Sequence, residues 1–262
     1  AYAALPVLAL LAMAILWWKT GRDPKKRVIA PAFAPPRDVD PAAAGVLIDD
    51  RVDLQDISAM LISLAVKGHL TIQEGEDGDP VFVRTATPRD RLTPAETVLF
   101  DAVFPNEDTE QRTLSSLENV FYTSLETIKS RLYGQLISAG FYPHNPERTR
   151  RLYATIGFLF FPLGVFLGVH TLSISLALSV AACGVVVWAF SPWMPRKTAK
   201  GVEKLEEVLG LAEYIRKAEV RRMEFHNAPE KSPELFERLL PYAIALNPVS
   251  YTHLTLPTKR IV

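Results

Sequence analysis

A run of 44 residues without Lys, Arg, Asp or Glu limits the folds open to this chain more than any other feature. It covers residues 152–195, and basic side chains flank it on both sides: Arg148, Arg150 and Arg151 before it, and Arg196, Lys197 and Lys200 after it. A single helix of that length would be roughly 66 Å long, about twice the ~30 Å of a hydrocarbon core. The sequence therefore predicts a hairpin of two transmembrane helices over residues 152–192, with its turn at His170 and Thr171.

A second apolar run opens the chain at residues 1–18 and ends in the pair Trp17 and Trp18. Five Lys and Arg side chains follow it in residues 19–27, whereas a secretory signal peptide carries its positive charges before the apolar run. Tryptophan is also typical of the membrane interface. This order favours a third transmembrane helix over the two alternatives, a cleaved signal peptide and a buried core helix.

The basic clusters predict one topology for the chain. All of them can face the cytoplasm, as the positive-inside rule requires, if residues 19–151 and 193–247 are cytoplasmic and His170 lies outside. The chain would then be a multi-pass protein of the plasma (inner) membrane, surrounded by the lipid bilayer. Because it opens inside an apolar run without an initiator Met, we also expect an exported domain upstream of Ala1.

The segment between the first apolar run and the hairpin divides into a linker and a folded block. Residues 19–45 are basic, then rich in proline, and show no helical period, which predicts an extended linker. In residues 46–151, apolar side chains recur at helical spacing from Leu54 to Leu64, behind Asp53 as N-cap and with Asp56 closing a capping box. Two short strands, at residues 69–73 and 81–84, are predicted next. A helix followed by a β-hairpin is how a winged-helix domain ends, so a winged-helix-like fold is predicted.

Further helices are predicted on both sides of the hairpin. One is capped by Thr93, with Pro94 at its first position, and a longer one ends at Gly140. Residues 193–247 form a charged helical segment whose last helix begins near Pro233, and we expect it to dock on the first block or on a partner. Residues 248–262 resemble a translated sequencing adapter and are expected to carry no selected structure.

Charge argues against a nucleic-acid partner for the predicted winged-helix-like domain. Residues 28–147 hold nine Lys and Arg against nineteen Asp and Glu, a net charge of −10. A DNA-binding domain needs a basic face to neutralise phosphates, and the predicted wing at residues 74–79 is acidic. We therefore expect contacts with an unidentified protein partner.

No catalytic, cofactor-binding or metal-ligating residue is predicted, and no small-molecule substrate is identified. Four aspartates could be considered as a metal cluster, but helix capping explains them better: they are Asp49, Asp50, Asp53 and Asp56. The acidic turn at residues 74–79 lacks the order of a calcium loop, and the five histidines have no zinc-site spacing. Cys183 is the sole cysteine. Close helix packing explains the glycines of the hairpin: Gly157, Gly164, Gly168 and Gly184.

Several phrases, taken in order, resemble the YciQ-like predicted membrane proteins, a family catalogued as a domain of unknown function. The phrases are Gly21-Arg22-Asp23-Pro24, the prolines Pro35, Pro36 and Pro41 with Gly45, Leu64 to Ile72 (LAVKGHLTI), Arg196, Thr198 and Gly201, Leu209-Gly210 and Tyr214, Glu219 and Arg222, and Phe236-Glu237 with Leu240 to Ala245 (LPYAIA). The resemblance implies an exported β-rich domain upstream, and it implies no activity, substrate or site residue. Residues 248–262 depart from the family pattern.

The sequence thus predicts a membrane protein that is mainly α. It has three transmembrane helices, one single and one hairpin, a cytoplasmic α+β winged-helix-like domain and a C-terminal helical segment. We expect it to be non-enzymatic, with the cytoplasmic module making protein contacts. The alternatives are a membrane-tethered DNA-binding regulator and a transporter accessory subunit.

Overall fold

The computed structural model describes residues 2, 4–25, 27, 29–30, 32–75, 78–106, 108–224 and 233–246. Within them the chain is mainly helical, with a small sheet. The helices are α1 (Ala4–Leu16), α2 (Pro41–Asp49), α3 (Leu54–Val66), α4 (Pro94–Val103), α5 (Leu114–Ser138), α6 (Pro146–Thr171), α7 (Ile174–Phe190), α8 (Ala199–Glu224) and α9 (Pro233–Leu246). The strands are β1 (Leu70–Glu74), β2 (Pro80–Arg84) and β3 (Gln111–Thr113). The adapter-like tail at residues 248–262 lies outside the described residues.

The chain divides into two compact units, each assembled from two separate stretches. The hairpin unit comprises Ala1–Arg27 and Tyr133–Glu203, and the sheet unit comprises Val28–Leu132 and Lys204–Val262. Each unit is described by itself below.

In the described part of the hairpin unit, three helical stretches are long and apolar enough to cross a membrane: Ala4–Gly21, Pro146–Thr171 and Ile174–Trp193. The first continues α1 through a π-helical turn, Trp17–Gly21. The third extends α7 by the 3₁₀ turn Ser191–Trp193. These spans agree with the predicted single helix and hairpin.

The turn of the hairpin lies two residues later than predicted. α6 continues through His170 and Thr171, and the Thr171 hydroxyl donates back to the Leu167 carbonyl at 2.7 Å, which satisfies one carbonyl of the last turn. Leu172 then adopts a left-handed conformation, with φ of 52°. Ser173 caps α7 by accepting a hydrogen bond from the Leu176 amide at 3.4 Å. Polarity alone indicated the wrong pair because the capping hydroxyl that starts α7 belongs to Ser173.

Glycines bring the two arms of the hairpin into backbone contact. A Cβ atom at Gly157 would lie 2.8 Å from the Gly184 carbonyl oxygen, and one at Gly184 would lie 2.6 Å from the Gly157 oxygen. A Cβ at Gly164 would lie 2.9 Å from the Ala177 oxygen. The prediction that these glycines serve close helix packing is confirmed.

The sheet unit contains one antiparallel sheet in the order β1-β2-β3. Leu70 pairs with Arg84 and Glu74 with Pro80, so β1 and β2 form the predicted hairpin with bounds shifted by one residue. β3 was not predicted, since its three residues are too short to show an alternating pattern. The helix of residues 54–66 is confirmed with its capping box at Asp53.

One predicted linker segment is wrong. Residues 41–45 were expected to be extended, but they form the first half of α2, in which every residue from Pro41 to Leu47 is buried. The Asp40 side chain accepts a hydrogen bond from the Ala43 amide at 2.7 Å, and Pro41 occupies the first helical position. A helix of small residues that is buried on all sides has no polar face, so its sequence shows no helical period.

Candidate functional site

Polar contacts in the sheet unit join α9 to α3 and to the segment just before α2. The Tyr242 hydroxyl donates a hydrogen bond to the Val39 carbonyl oxygen at 2.7 Å. The Gln55 side-chain amide donates to the Ile244 carbonyl oxygen. Both bonds join residues about 200 positions apart in sequence, so they tie the end of the described chain to the segment before the hairpin. We call this region the α9 junction.

Gly45 and Asp56 hold the α9 junction together at its centre. Asp56 is 3% exposed, and its Oδ2 accepts a hydrogen bond from the Asp53 amide at 2.9 Å. A Cβ atom at Gly45 would lie 1.8 Å from Asp56 Oδ1 and 3.3 Å from the Ala245 carbonyl oxygen. Only glycine therefore lets α2 approach both the capping carboxylate of α3 and the backbone of α9.

Burial shifts the protonation of the acidic groups at the α9 junction. Loss of hydration raises the pKa of Asp56 to about 8, although the Asp53 amide opposes this shift. The pKa of Asp40 rises to about 6, again mainly from burial and against the hydrogen bond from the Ala43 amide. Burial and the nearby charges of Asp40 and Glu96 raise the pKa of Tyr242. At neutral pH, Asp56 is thus mostly protonated.

Three of the four aspartates considered as a metal cluster cap helices, and the fourth, Asp49, bonds to the turn that follows α2. Asp53 and Asp56 form the capping box of α3, and Asp49 accepts a hydrogen bond from the Arg51 amide at 2.9 Å. Asp50 ends α2 in a left-handed conformation. Among the described residues, no three His, Cys, Asp or Glu side chains are grouped to hold a metal ion.

An ion pair with one buried partner lies beside the helix cap of α4. Glu96 is 1% exposed, and its carboxylate lies 2.5 Å from Lys67 Nζ. Glu96 also accepts a hydrogen bond from the Thr93 amide at 3.0 Å and so completes a capping box. The capping role was predictable from the local pattern. The pairing with Lys67 was not, because 29 residues separate the partners.

The hairpin unit contains a polar pocket of about 410 Å³ beside the ends of two candidate spans. Arg22 and Asp23 contribute from the segment after α1, and Arg196, Lys197 and Thr198 contribute from the segment before α8. Two separate phrases that carry the family resemblance therefore meet at one pocket. From the sequence, the charges of these basic residues indicated only the membrane topology.

A glycine in each phrase allows a close backbone approach. A Cβ atom at Gly21 would lie 3.1 Å from the Trp193 carbonyl oxygen, and one at Gly201 would lie 2.1 Å from the Phe141 carbonyl oxygen. The Thr198 hydroxyl donates to the Gly140 carbonyl oxygen at 2.6 Å and accepts from the Gly201 amide at 3.0 Å. The chain around the pocket is thus held by backbone contacts.

One family model matches most of the chain. It is described as the C-terminal domain of a predicted membrane protein (DUF2207), and it covers residues 29–248. No curated protein and no solved structure matches the chain. The matched region includes the hairpin, the sheet and α9, which confirms the family resemblance found in the sequence. The chain therefore belongs to the family of predicted membrane proteins defined by this DUF2207 C-terminal domain.

Proposed function

We propose that this membrane protein is non-enzymatic and presents the sheet unit in the cytoplasm as a docking module for another protein. The plasma membrane is its proposed location, with residues 19–151 and 193–247 on the cytoplasmic side. A winged-helix-like fold for residues 46–151 belongs to the same proposal.

The α9 junction is the observation that carries the proposal. α9 follows the hairpin in sequence, yet it packs on α2 and α3, which precede the hairpin. The two chain segments that flank the hairpin therefore contribute to one core. Such a core gives the sheet unit a fixed surface, as a docking module requires.

Charge and surface chemistry support a protein partner over a nucleic acid. The net charge of −10 over residues 28–147 repels phosphates. α3 also leaves Leu54 60% exposed at its first position, where an apolar side chain can enter a protein contact. The exclusion of DNA rests on this charge, so a binding measurement can overturn it.

Topology is tested by single-cysteine labelling in intact cells. Cys183 is the sole cysteine, so Cys183→Ser gives a background without thiols. In that background, Leu172→Cys places a thiol at the hairpin turn, where Leu172 is 93% exposed. Glu126→Cys places one on α5, where the Glu126 side chain is 72% exposed.

We expect a membrane-impermeant maleimide to label the Leu172→Cys variant in intact cells. The Glu126→Cys variant should be labelled only after permeabilisation. The opposite pattern would refute the cytoplasmic placement of the sheet unit.

The docking role is tested with the full chain in detergent micelles. We expect no binding to duplex DNA at about 50 mM or about 200 mM salt. Between these concentrations, the affinity of a protein that contacts DNA phosphates falls steeply. Binding that weakens steeply between these concentrations would instead establish the membrane-tethered regulator. Stoichiometric co-purification with a larger polytopic protein would identify a transporter accessory subunit.

A further inference from the structure

The polar pocket of the hairpin unit lies at the edge of the membrane-spanning region. α1 reaches it through the π-helical turn Trp17–Gly21, which ends a candidate span. The other wall follows Trp193, which ends another. Trp18 and Trp193 are 67% and 62% exposed, and exposed tryptophans beside a span are typical of the headgroup level. The pocket therefore lies at the depth of lipid headgroups.

An internal salt bridge fixes one wall of the pocket. Asp23 Oδ1 accepts a hydrogen bond from the Lys197 amide at 2.6 Å, and Asp23 Oδ2 lies 4.0 Å from Lys197 Nζ. The Lys197 side chain is only 3% exposed, and its ammonium lies 5.6 Å from the centre of the Tyr142 ring. Asp23 thus balances Lys197, and neither group leaves a net charge for a ligand.

Two arginines supply the uncompensated charge. Arg22 and Arg196 both line the pocket and are both exposed. Arg22 lies over the Trp18 ring at 5.1 Å, which leaves the donors along its edge open to a ligand. Within the described part of the chain, neither arginine forms an ion pair with a carboxylate. The pocket therefore carries two positive charges in excess.

The start of α8 adds to the positive potential. Thr198 and Ala199 line the pocket, and α8 runs for 26 residues from Ala199. The first turn of a helix presents unpaired amides and the positive end of the dipole, which favour a phosphate oxygen. The two arginine charges and the nearby start of α8 favour the same class of ligand.

We propose that this pocket binds the phosphate of an anionic phospholipid headgroup, with Arg22 and Arg196 as its ligands. A basic pocket between membrane helices is suited to such a headgroup, and guanidinium groups can bind phosphate oxygens through two parallel hydrogen bonds. The exposed face of Trp18 lies beside the glycerol and upper acyl region. Free phosphate has the same charged group as the headgroup. It lacks the acyl chains, which would enter the bilayer beside a pocket at this depth and so favour a lipid.

The test measures lipid binding to the full chain in detergent micelles by native mass spectrometry. Phosphatidylglycerol is titrated against phosphatidylcholine, and inorganic phosphate is added in a separate arm. We expect phosphatidylglycerol to bind at least tenfold more tightly than phosphatidylcholine. The double variant Arg22→Gln/Arg196→Gln should lose about 25-fold in affinity for phosphatidylglycerol, roughly fivefold for each cation removed.

A matched control separates the pocket from general surface charge. Arg148→Gln/Arg151→Gln removes two exposed cations from the start of α6, of which Arg151 pairs with Glu147 at 2.8 Å, and should change the affinity less than threefold. Arg22→Lys/Arg196→Lys keeps both charges but lacks the paired guanidinium donors, so it should lose less affinity than the glutamine variant, and it also controls for folding. Equal losses in the pocket and control variants would overturn the proposal. Binding of inorganic phosphate without a preference for phosphatidylglycerol would overturn the assignment to lipid.

Discussion

Replacing Gly45 with alanine tests whether the α9 junction depends on a close backbone approach. Gly45 lies in the middle of α2, where alanine is normally favoured over glycine by about 1 kcal/mol in helix propensity. Propensity alone therefore predicts that Gly45→Ala stabilises the sheet unit. The packing at the junction predicts the opposite sign.

The geometry gives the size of the penalty. The added methyl group would lie 1.8 Å from Asp56 Oδ1 and 3.3 Å from the Ala245 carbonyl oxygen, so the carboxylate has to move. Overpacking of this kind typically costs about 1–3 kcal/mol, and loss of the cap that Asp56 provides to α3 adds about 1 kcal/mol. After the propensity gain, we expect Gly45→Ala to lower the free energy of unfolding by about 1–3 kcal/mol.

The assay is urea unfolding of the full chain in detergent micelles, followed by far-UV circular dichroism. Gly134→Ala is the matched control, because Gly134 lies in α5 with no atom within 4 Å of an added Cβ. This control should gain about 0.5–1 kcal/mol. A double-mutant cycle with Asp56→Ala should show a coupling energy above about 0.5 kcal/mol. If Gly45→Ala is as stable as the control variant, the argument from close approach is wrong.

Three further predictions concern other contacts. The pKa of Asp56 is raised to about 8 in the folded state, whereas in the unfolded chain the same carboxyl loses its proton near pH 4. Because the folded state keeps this proton, the free energy of unfolding should fall by about 2–3 kcal/mol from pH 6 to pH 8. Asp56→Asn should flatten this slope in urea titrations, and an unchanged slope would contradict the shift. Lys67→Met leaves Glu96 buried without its cation and should cost about 2 kcal/mol in the same assay, below the usual range of about 3–5 kcal/mol because the Lys67 side chain is 36% exposed. Adding Glu96→Gln should recover part of that loss, and no recovery would exclude an electrostatic cause. In the hairpin, Gly184→Leu should lower the thermal midpoint of unfolding in micelles, because a Cβ atom at Gly184 would lie 2.6 Å from the Gly157 carbonyl oxygen. The control variant Val185→Leu changes a position that is 49% exposed and should leave the midpoint unchanged. Equal midpoints for the two variants would show that the hairpin does not depend on this contact.

Predictions made from local patterns agree with the structure where the physical cause is also local. The capping box of α3 needs only Asp53 and Asp56, three residues apart. The same holds for Thr93 and Glu96 at α4. The spans of the hairpin follow from length and charge, which the bilayer restricts without reference to other parts of the chain.

The predictions for α2 and for the hairpin turn were wrong because packing and capping there do not follow the local polarity pattern. α2 was missed because Ala42 to Gly45 are buried on every side and show no amphipathic period. The hairpin turn was placed two residues early, because the cap at Ser173 outweighed the polarity of His170 and Thr171. In both cases one hydrogen-bonding side chain, Asp40 or Ser173, marks the true helix start.

The sequence by itself determined which segments can enter a membrane, where most helices begin, and which family the chain resembles. Each of these depends on composition or on residues a few positions apart. Only the tertiary structure decided that Tyr242 donates to Val39, that Lys67 pairs with Glu96, and that Arg22 and Arg196 line one pocket. The reason is physical: these partners are brought together by the burial of apolar surface along the whole chain, and no local spacing encodes which distant groups that burial makes neighbours.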